Sequence, residues 1–374
     1  MPAVEWRAIP TVPFADEMLD KAFSKAKRVA DAVDDPNRTF RVRKQMKRMV
    51  QSSADTISTA LLEQVERWPS TDHLSAFDHA LVDAAVGLDD YRHNLSMLQW
   101  GAKRIRAISS QNVTKITRTA NTELMHAARR EAYGRISSIM RQISASLSWL
   151  NETREILKRL PSIDEMNPCI VIAGAPNVGK SALITAMSSG KPEVAIYPFT
   201  TKRLHLGHFI HRRLKYQLVD TPGLLDRPME KRNQIEMQAI AALEHSGSIV
   251  LFILDPTGHS GADEESQENL LQEVRGLLTK KEIIVVETKA DLLDERPQEW
   301  DAVKSAETDF DDSSPVACLL PMMLNPLNGN IQVSAEEEVG LISLREMLVS
   351  RISDSTENDP LTLPANWHRS DIRS

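Results

Sequence analysis

Eight residues constrain this chain more than any other stretch: Gly174-Ala-Pro-Asn-Val-Gly179-Lys180-Ser181, entered from the apolar run CIVIA and left through the helix-prone run ALITAMS. A strand that turns through glycine-bearing backbone into a helix presents a row of N–H groups at the helix N-terminus, where phosphate oxygens are well received. Lys180 adds a positive charge for the β/γ end and Ser181 a hydroxyl for Mg²⁺. A chance match to this spacing is on the order of one in a hundred for a chain of this size. The bland alternative is a tight turn with a surface lysine, and the residues C-terminal to the loop have to decide against it.

Those residues have the texture of an α/β domain. After Pro168 come CIVIAG, LHLGHFIH, KYQLVD, SIVLFILD, EIIVVETK and NIQVS, β-rich runs mostly separated by spacers long enough for crossover helices. This pattern predicts a mostly parallel sheet with helices on both faces, with the second and third runs close enough to form an antiparallel edge pair. The segment 296–330, rich in proline and acids, reads as irregular.

Before Pro168 the periodicity is helical from about Phe14 to Leu160. Ile136, Met140, Ile143, Leu147, Leu150 and Leu157 form one apolar stripe, which needs partners. The segments 17–33, 40–65 and 83–108 can supply them, with breaks at Trp68-Pro69 and Pro161. The expectation is an all-α helical bundle over residues 1–165, an α/β phosphate-loop domain over 166–354 and a C-terminal tail over 355–374. A long coiled coil is the rival for the first part, but Arg154 interrupts the stripe.

Charge separates the same two parts. Residues 1–160 carry 25 Lys and Arg against 19 Asp and Glu, whereas the remainder carries 20 against 33. Cys169 and Cys318, with no metal-ligand spacing, fit a reducing compartment better than a disulfide framework. No apolar run reaches membrane-spanning length, and the N-terminus lacks the basic start and apolar core of a secretory signal. A cytoplasmic location is expected.

The later motifs fall where the phosphate loop needs them. Asp220-Thr-Pro-Gly223 comes after the strand YQLV, the place for an acid that holds Mg²⁺ through water and a glycine N–H that senses the γ-phosphate. In the intervening loop Tyr197-Pro-Phe-Thr200-Thr201, Thr201 is the choice for a threonine reaching the metal. Thr288-Lys289-Ala-Asp291 comes after EIIVVE. A carboxylate there accepts both N1–H and the exocyclic amine of guanine, a donor pair that adenine does not present. Lys289 would cover the ring with its aliphatic stem, and Ser334-Ala335 would bring a backbone N–H to the guanine oxygen. Singly, a Thr-Thr pair, a K-x-D or a Ser-Ala is nearly uninformative; their order and spacing point to GTP.

The set GAPNVGKS, YPFTTK, DTPGLLDRP, TKAD and VSA resembles the Obg-related GTPases, and specifically the Nog family of nucleolar-type GTP-binding proteins. GHF at 207–209, Arg232-Asn233 and Ile235-Glu236 add to it, as do WGAKRIR at 100–106 and REAYGRISSI at 130–139 in the helical half. The resemblance implies a helical N-terminal domain, a GTPase domain and a role in assembly of the large ribosomal subunit. Three departures stand out. Thr288 replaces the usual Asn of the guanine motif and removes an amide able to brace the phosphate loop. Leu224 comes after DTPG where Ras-like enzymes have a water-orienting glutamine, so slow intrinsic hydrolysis is expected. The chain also lacks the long extension of eukaryotic members, which suggests a prokaryotic-type form.

The resulting expectation is a GTP-hydrolysing switch that uses GTP/GDP and Mg²⁺ and acts on a large-subunit precursor and its rRNA. Asn177 occupies the position at which potassium-activated relatives of this broad class ligate K⁺. The alternatives are a nucleotide-binding RNA scaffold with little hydrolysis and a P-loop small-molecule kinase. RNA contact is expected from Lys103, Arg104, Arg106, Arg129 and Arg130, part of a basic excess between Tyr91 and Arg141; a solvated helix face is the plainer reading of the same charges. Trp100 can stack on a base, although a tryptophan in that position more often belongs to the core.

Overall fold

The computed structural model describes residues 4–164, 166–196, 203–220, 248–310 and 320–357. The chain divides into two compact units, one of Glu5–Leu74 with Val82–Leu160, the other of Met1–Val4, Ser75–Leu81 and Pro161–Ser374.

The first unit is helical: α1 (Ala15–Asp31), α2 (Arg38–Arg67), α4 (Leu88–Arg118), α5 (Thr122–Gln142) and α6 (Ser144–Leu157), with α3 (Ala76–Val86) lying across the division. Local chemistry sets the starts. The Glu17 carboxylate accepts the Phe14 N–H, Asn37 accepts the N–H groups of Thr39 and Phe40, and Asn121 accepts that of Glu123. α2 stops at Arg67 because Trp68, before Pro69, is extended. Trp68 is buried against Tyr91, whose hydroxyl donates to the Pro69 carbonyl at 2.6 Å.

The apolar stripe from Ile136 to Leu157 is entirely buried, but on two helices rather than one. α5 and α6 meet at Ile143, whose backbone (φ −93, ψ 0) leaves the helical region. Burying each of these side chains is worth roughly 1.5–3 kcal/mol, which outweighs the loss of continuous helix. Gly101 has a role at this junction. A Cβ there would lie 3.1 Å from Ile143 Cδ1, so glycine lets α4 approach the junction closely.

The second unit is an eight-stranded sheet in the order β2-β3-β4-β1-β5-β6-β8-β7. The strands are β1 (Cys169–Gly174), β2 (Glu193–Ile196), β3 (Arg203–His211), β4 (Leu214–Asp220), β5 (Ile249–Leu254), β6 (Ile283–Glu287), β7 (Met323–Leu324) and β8 (Ile331–Gln332). β4, β1, β5, β6 and β8 run parallel, and β2-β3, β3-β4 and β7-β8 are antiparallel. All six residues of β1 are buried, as a central parallel strand requires. Burial also pushes the Cys169 thiol up to about 12, so it is an inert core group.

Three details differ from what the sequence predicts. The β3-β4 pair is antiparallel as expected but not at the edge, because β2 adds outside it. The segment 296–330 contains the helix α9 (Trp300–Thr308), anchored by buried Trp300, Val303 and Glu307, as well as β7. The last helix, α10 (Leu341–Glu357), runs past the boundary expected at 354. The remaining helices are α7 (Lys180–Met187) and α8 (Glu264–Leu277). Among the described residues no helix is long and apolar enough to cross a membrane.

Candidate functional site

β1 ends in Gly174 with φ 139, a conformation a side chain would not tolerate here, since a Cβ would meet the Ile253 carbonyl oxygen at 2.4 Å. The loop then passes through Asn177 at φ 62 and Gly179 at φ 101 before α7 begins at Lys180. Positive-φ residues spaced through a short loop in this way turn backbone N–H groups toward one concavity. Lys180 is buried, and its Nζ donates to the carbonyls of Gly174 and Ala175 at 2.9 and 2.7 Å, inside the loop that its charge would serve. Val178 is fully buried and Asn177 is exposed.

At the C-terminal end of β4 the buried Asp220 accepts a hydrogen bond from Ser181 Oγ at 3.1 Å on its Oδ2. Its other oxygen, Oδ1, is buried and has no partner among the described residues. A hydroxyl and a half-satisfied carboxylate side by side form a hard oxygen set that suits Mg²⁺. Ser181 and Asp220 are therefore the residues that would hold the ion. Thr201 and Gly223, with Leu224, lie outside the described residues.

The two segments expected at the base, 288–291 and 334–335, come together at the ends of β6 and β8. Thr288 is buried, and its hydroxyl donates to the Val178 carbonyl oxygen, 110 residues earlier, at 2.5 Å; the Leu254 carbonyl lies farther off at 3.3 Å. The brace expected to disappear with the missing asparagine is thus present, made by a hydroxyl. Asp291 accepts from Ser334 Oγ at 2.5 Å, and the Ala290 N–H donates to the Val333 carbonyl at 3.2 Å. Ala335 comes next in the chain, half-buried. Lys289 adopts φ 60, and its ammonium is 2.6 Å from Asp255 Oδ2, so the stem is held by both ends.

Asp255 and Glu287 are absent from the motif set, yet they organise it. Burial raises the Asp255 carboxyl, but the hydrogen bonds from Lys289 and Thr257 outweigh it and hold the group below the usual carboxylate value. Glu287, buried at the end of β6, accepts from the side-chain amides of Asn325, Asn328, Asn330 and Gln332 at 2.8–3.1 Å. The carboxylate thereby fastens the β7-β8 hairpin beside the Thr288–Asp291 segment. A lone acid ending each apolar run, SIVLFILD and IIVVE, was the available sequence signal.

The five basic residues expected to touch RNA fall in two groups. On α4, Lys103, Arg104 and Arg106 are exposed; the Arg104 guanidinium lies 5.8 Å from the Trp100 ring centre, and Arg106 Nε donates to Ser58 Oγ at 3.2 Å. Trp100 is half-buried rather than part of the core. On α5, Arg130 is exposed, whereas Arg129 is half-buried over the Tyr133 ring at 5.4 Å. Part of the surrounding excess is neutralised, since Lys115 and Arg135 both pair with Glu131.

Comparison with known proteins covers both units. Residues 6–164 match the family model described as the NOG1 N-terminal helical domain, and residues 169–289 match that of the 50S ribosome-binding GTPase. A Methanocaldococcus jannaschii protein of uncharacterised role is 33% identical over 292 residues, covering 78% of this chain and 82% of its own length. Nucleolar GTP-binding protein 1 of Saccharomyces cerevisiae is 30% identical over 80% of this chain, which spans 46% of that relative's length. A crystal structure of a candidate nucleolar GTP-binding protein 1 from Plasmodium falciparum is 29% identical over 53% of this chain and 92% of its own, with a TM-score of 0.40. With the helical and GTPase family models matched in tandem and an archaeal relative aligned over most of both chains, this chain belongs to the Nog family of P-loop GTPases.

Proposed function

We propose that the chain binds GTP and GDP with Mg²⁺, hydrolyses GTP slowly, and acts in the cytoplasm as a switch on a large-ribosomal-subunit precursor. The observation that carries the nucleotide part is the joining of the phosphate loop to the segment after β6 by Thr288 and Val178, and of that segment to the one after β8 by Asp291 and Ser334. In this reading Gly174, Asn177, Val178, Gly179 and Lys180 cradle the phosphates. Ser181 and Asp220 hold Mg²⁺, which supplies positive charge to the β- and γ-phosphate oxygens. Asp291 accepts the two guanine donors, Lys289 covers the ring and Ala335 offers its N–H to the guanine oxygen. Thr201 and Gly223 respond to the γ-phosphate, which gives the two nucleotide states different surfaces.

The family model's description as ribosome-binding and the names of the relatives support a ribosomal partner. The exposed Lys103, Arg104 and Arg130, with Arg106 and Arg129, support rRNA backbone contact. Asn177, exposed at φ 62, is a candidate ligand for K⁺ beside the phosphates, where a monovalent cation would supply charge that an arginine finger provides elsewhere.

Competition binding of GTP against ATP, and then single-turnover hydrolysis with and without large-subunit precursor particles, tests the proposal. Preference for GTP and acceleration by the particle are expected; equal affinity for the two nucleotides would refute it. Hydrolysis in K⁺ should exceed that in Na⁺ at equal ionic strength, and Asn177→Ala should remove the difference.

A further inference from the structure

A flexible lysine stem lies along one face of a ring only when its ammonium is held. Asp255 supplies that hold: its Oδ2 is 2.6 Å from Lys289 Nζ, with the carboxylate fully buried and the Lys289 side chain 21% exposed. What fixes Asp255 in turn is a residue outside every motif of the site. The registers that β5 shares with β1 and β6 end at Ile253 and Leu254, so the backbone of Asp255 lies just beyond the ladder.

Gln267, buried in the first turn of α8, pairs with both backbone groups of Asp255. Its Oε1 accepts the Asp255 N–H at 2.8 Å, and its Nε2 donates to the Asp255 carbonyl at 3.0 Å and to the Ala262 carbonyl at 3.1 Å. One amide thus uses an acceptor and both donors, a set that a carboxylate or an apolar side chain of similar length cannot reproduce. The Asp255 carboxylate is steadied on its other oxygen, where Oδ1 accepts the Thr257 N–H at 2.9 Å and the Thr257 hydroxyl at 2.5 Å.

We propose that Gln267 is a positioning residue for purine binding: standing in for a neighbouring strand at Asp255, it fixes the carboxylate that holds the Lys289 stem along the ring face. The proposal rests on the reading of Lys289 as the residue that covers the ring. Two buried backbone groups need a polar partner in any case. A Gln267 that only met this need would stabilise the end of β5 equally with or without an ammonium at position 289. A positioning Gln267 acts on binding through that ammonium, so its effect on affinity disappears with it. It also acts on the ring face and not on the edge that Asp291 reads, so guanine and hypoxanthine nucleotides weaken alike.

The test is a double-mutant cycle on the full chain with Mg²⁺, read by titration of GDP and inosine diphosphate. Lys289→Met keeps a stem and removes the ammonium. Gln267→Leu should weaken both nucleotides about tenfold, leaving their ratio unchanged, and should weaken them less than about twofold in the Lys289→Met background. Thr257→Val, a milder change at a half-buried position, should show the same pattern at about threefold and carries the cycle if Gln267→Leu does not fold. Equal losses with and without the ammonium, or a ratio of GDP to inosine diphosphate affinity that moves in these variants, overturn the positioning role and leave the reading of Lys289 standing. Full GDP affinity in Lys289→Met also overturns the positioning role, because the anchor is then without effect. Full GDP affinity in Lys289→Ala overturns the reading of Lys289 as well.

Discussion

Thr288 Oγ1 and the Val178 carbonyl oxygen, 2.5 Å apart, join the segment after β6 to the loop after β1. The same contact limits position 179, where a Cβ would come within 3.3 Å of Thr288 Oγ1. Thr288→Val keeps the shape but removes the hydroxyl that donates to that carbonyl. We expect a loss of about 1 kcal/mol in urea unfolding and a several-fold weaker GDP affinity. An affinity equal to that of the unmodified chain would show that the brace is unrelated to nucleotide binding.

Asp291 is the group on which base choice turns. Replacing it with alanine removes two charge-assisted acceptors, each worth about 1.5–3 kcal/mol, so GTP affinity should drop by at least about a hundredfold while ATP affinity changes little. Thr288→Asn should alter GTP affinity far less than Asp291→Ala. Parallel competition titrations of the two variants decide between them.

The Asp255 and Lys289 pair predicts a pH dependence. The folded carboxyl titrates below its ordinary value of 3.8, so the pair's contribution is complete above that value and is lost as pH falls through the lower folded one. Asp255→Asn should lower thermal stability at neutral pH and flatten its decline in the acid range. A melting series between pH 7 and pH 3 on both proteins tests this; parallel curves would contradict it.

Glu287 should matter to nucleotide binding although it is not placed among the groups that touch the base. Removing its charge in Glu287→Gln presents an amide to four amide donors and should cost about 1–3 kcal/mol in stability. Because the Val333 N–H donates to the Glu287 carbonyl at 2.9 Å and Ser334 is the next residue, loosening this hairpin should also weaken GDP binding. Hydrogen exchange over 323–335 together with GDP titration is the check. Lost stability with unchanged affinity would confine Glu287 to a structural role.

For the basic helices, rRNA binding by the full chain should weaken steeply with salt, and reversal of Lys103, Arg104 and Arg106 to glutamate should weaken it further and reduce the salt slope. Salt-independent binding, or full affinity in the triple reversal, would remove these residues from the interface. Arg106→Ala alone removes the hydrogen bond to Ser58 Oγ and serves as the stability control.

The phosphate-loop spacing alone determined that a strand must precede residue 174 and a helix must come after residue 179, because glycine backbone and a helix N-terminus are properties of local sequence. Helical periodicity likewise marked which side chains of 136–157 are buried, since burial tracks the apolar face whatever the helix lengths. That the stripe divides at Ile143, where α4 packs close at Gly101, 42 positions away, was not visible in the periodicity. The short strands β2 and β7 had too few residues to show a period and exist through their neighbours in the sheet. Thr288 looked like the loss of a brace because the sequence carries residue identity but not distance. Only the fold brings its hydroxyl to the Val178 carbonyl, the Glu287 carboxylate to four amides, and His205 beside Ser181 and Asp220, because those approaches depend on strand register and side-chain reach rather than on any local pattern.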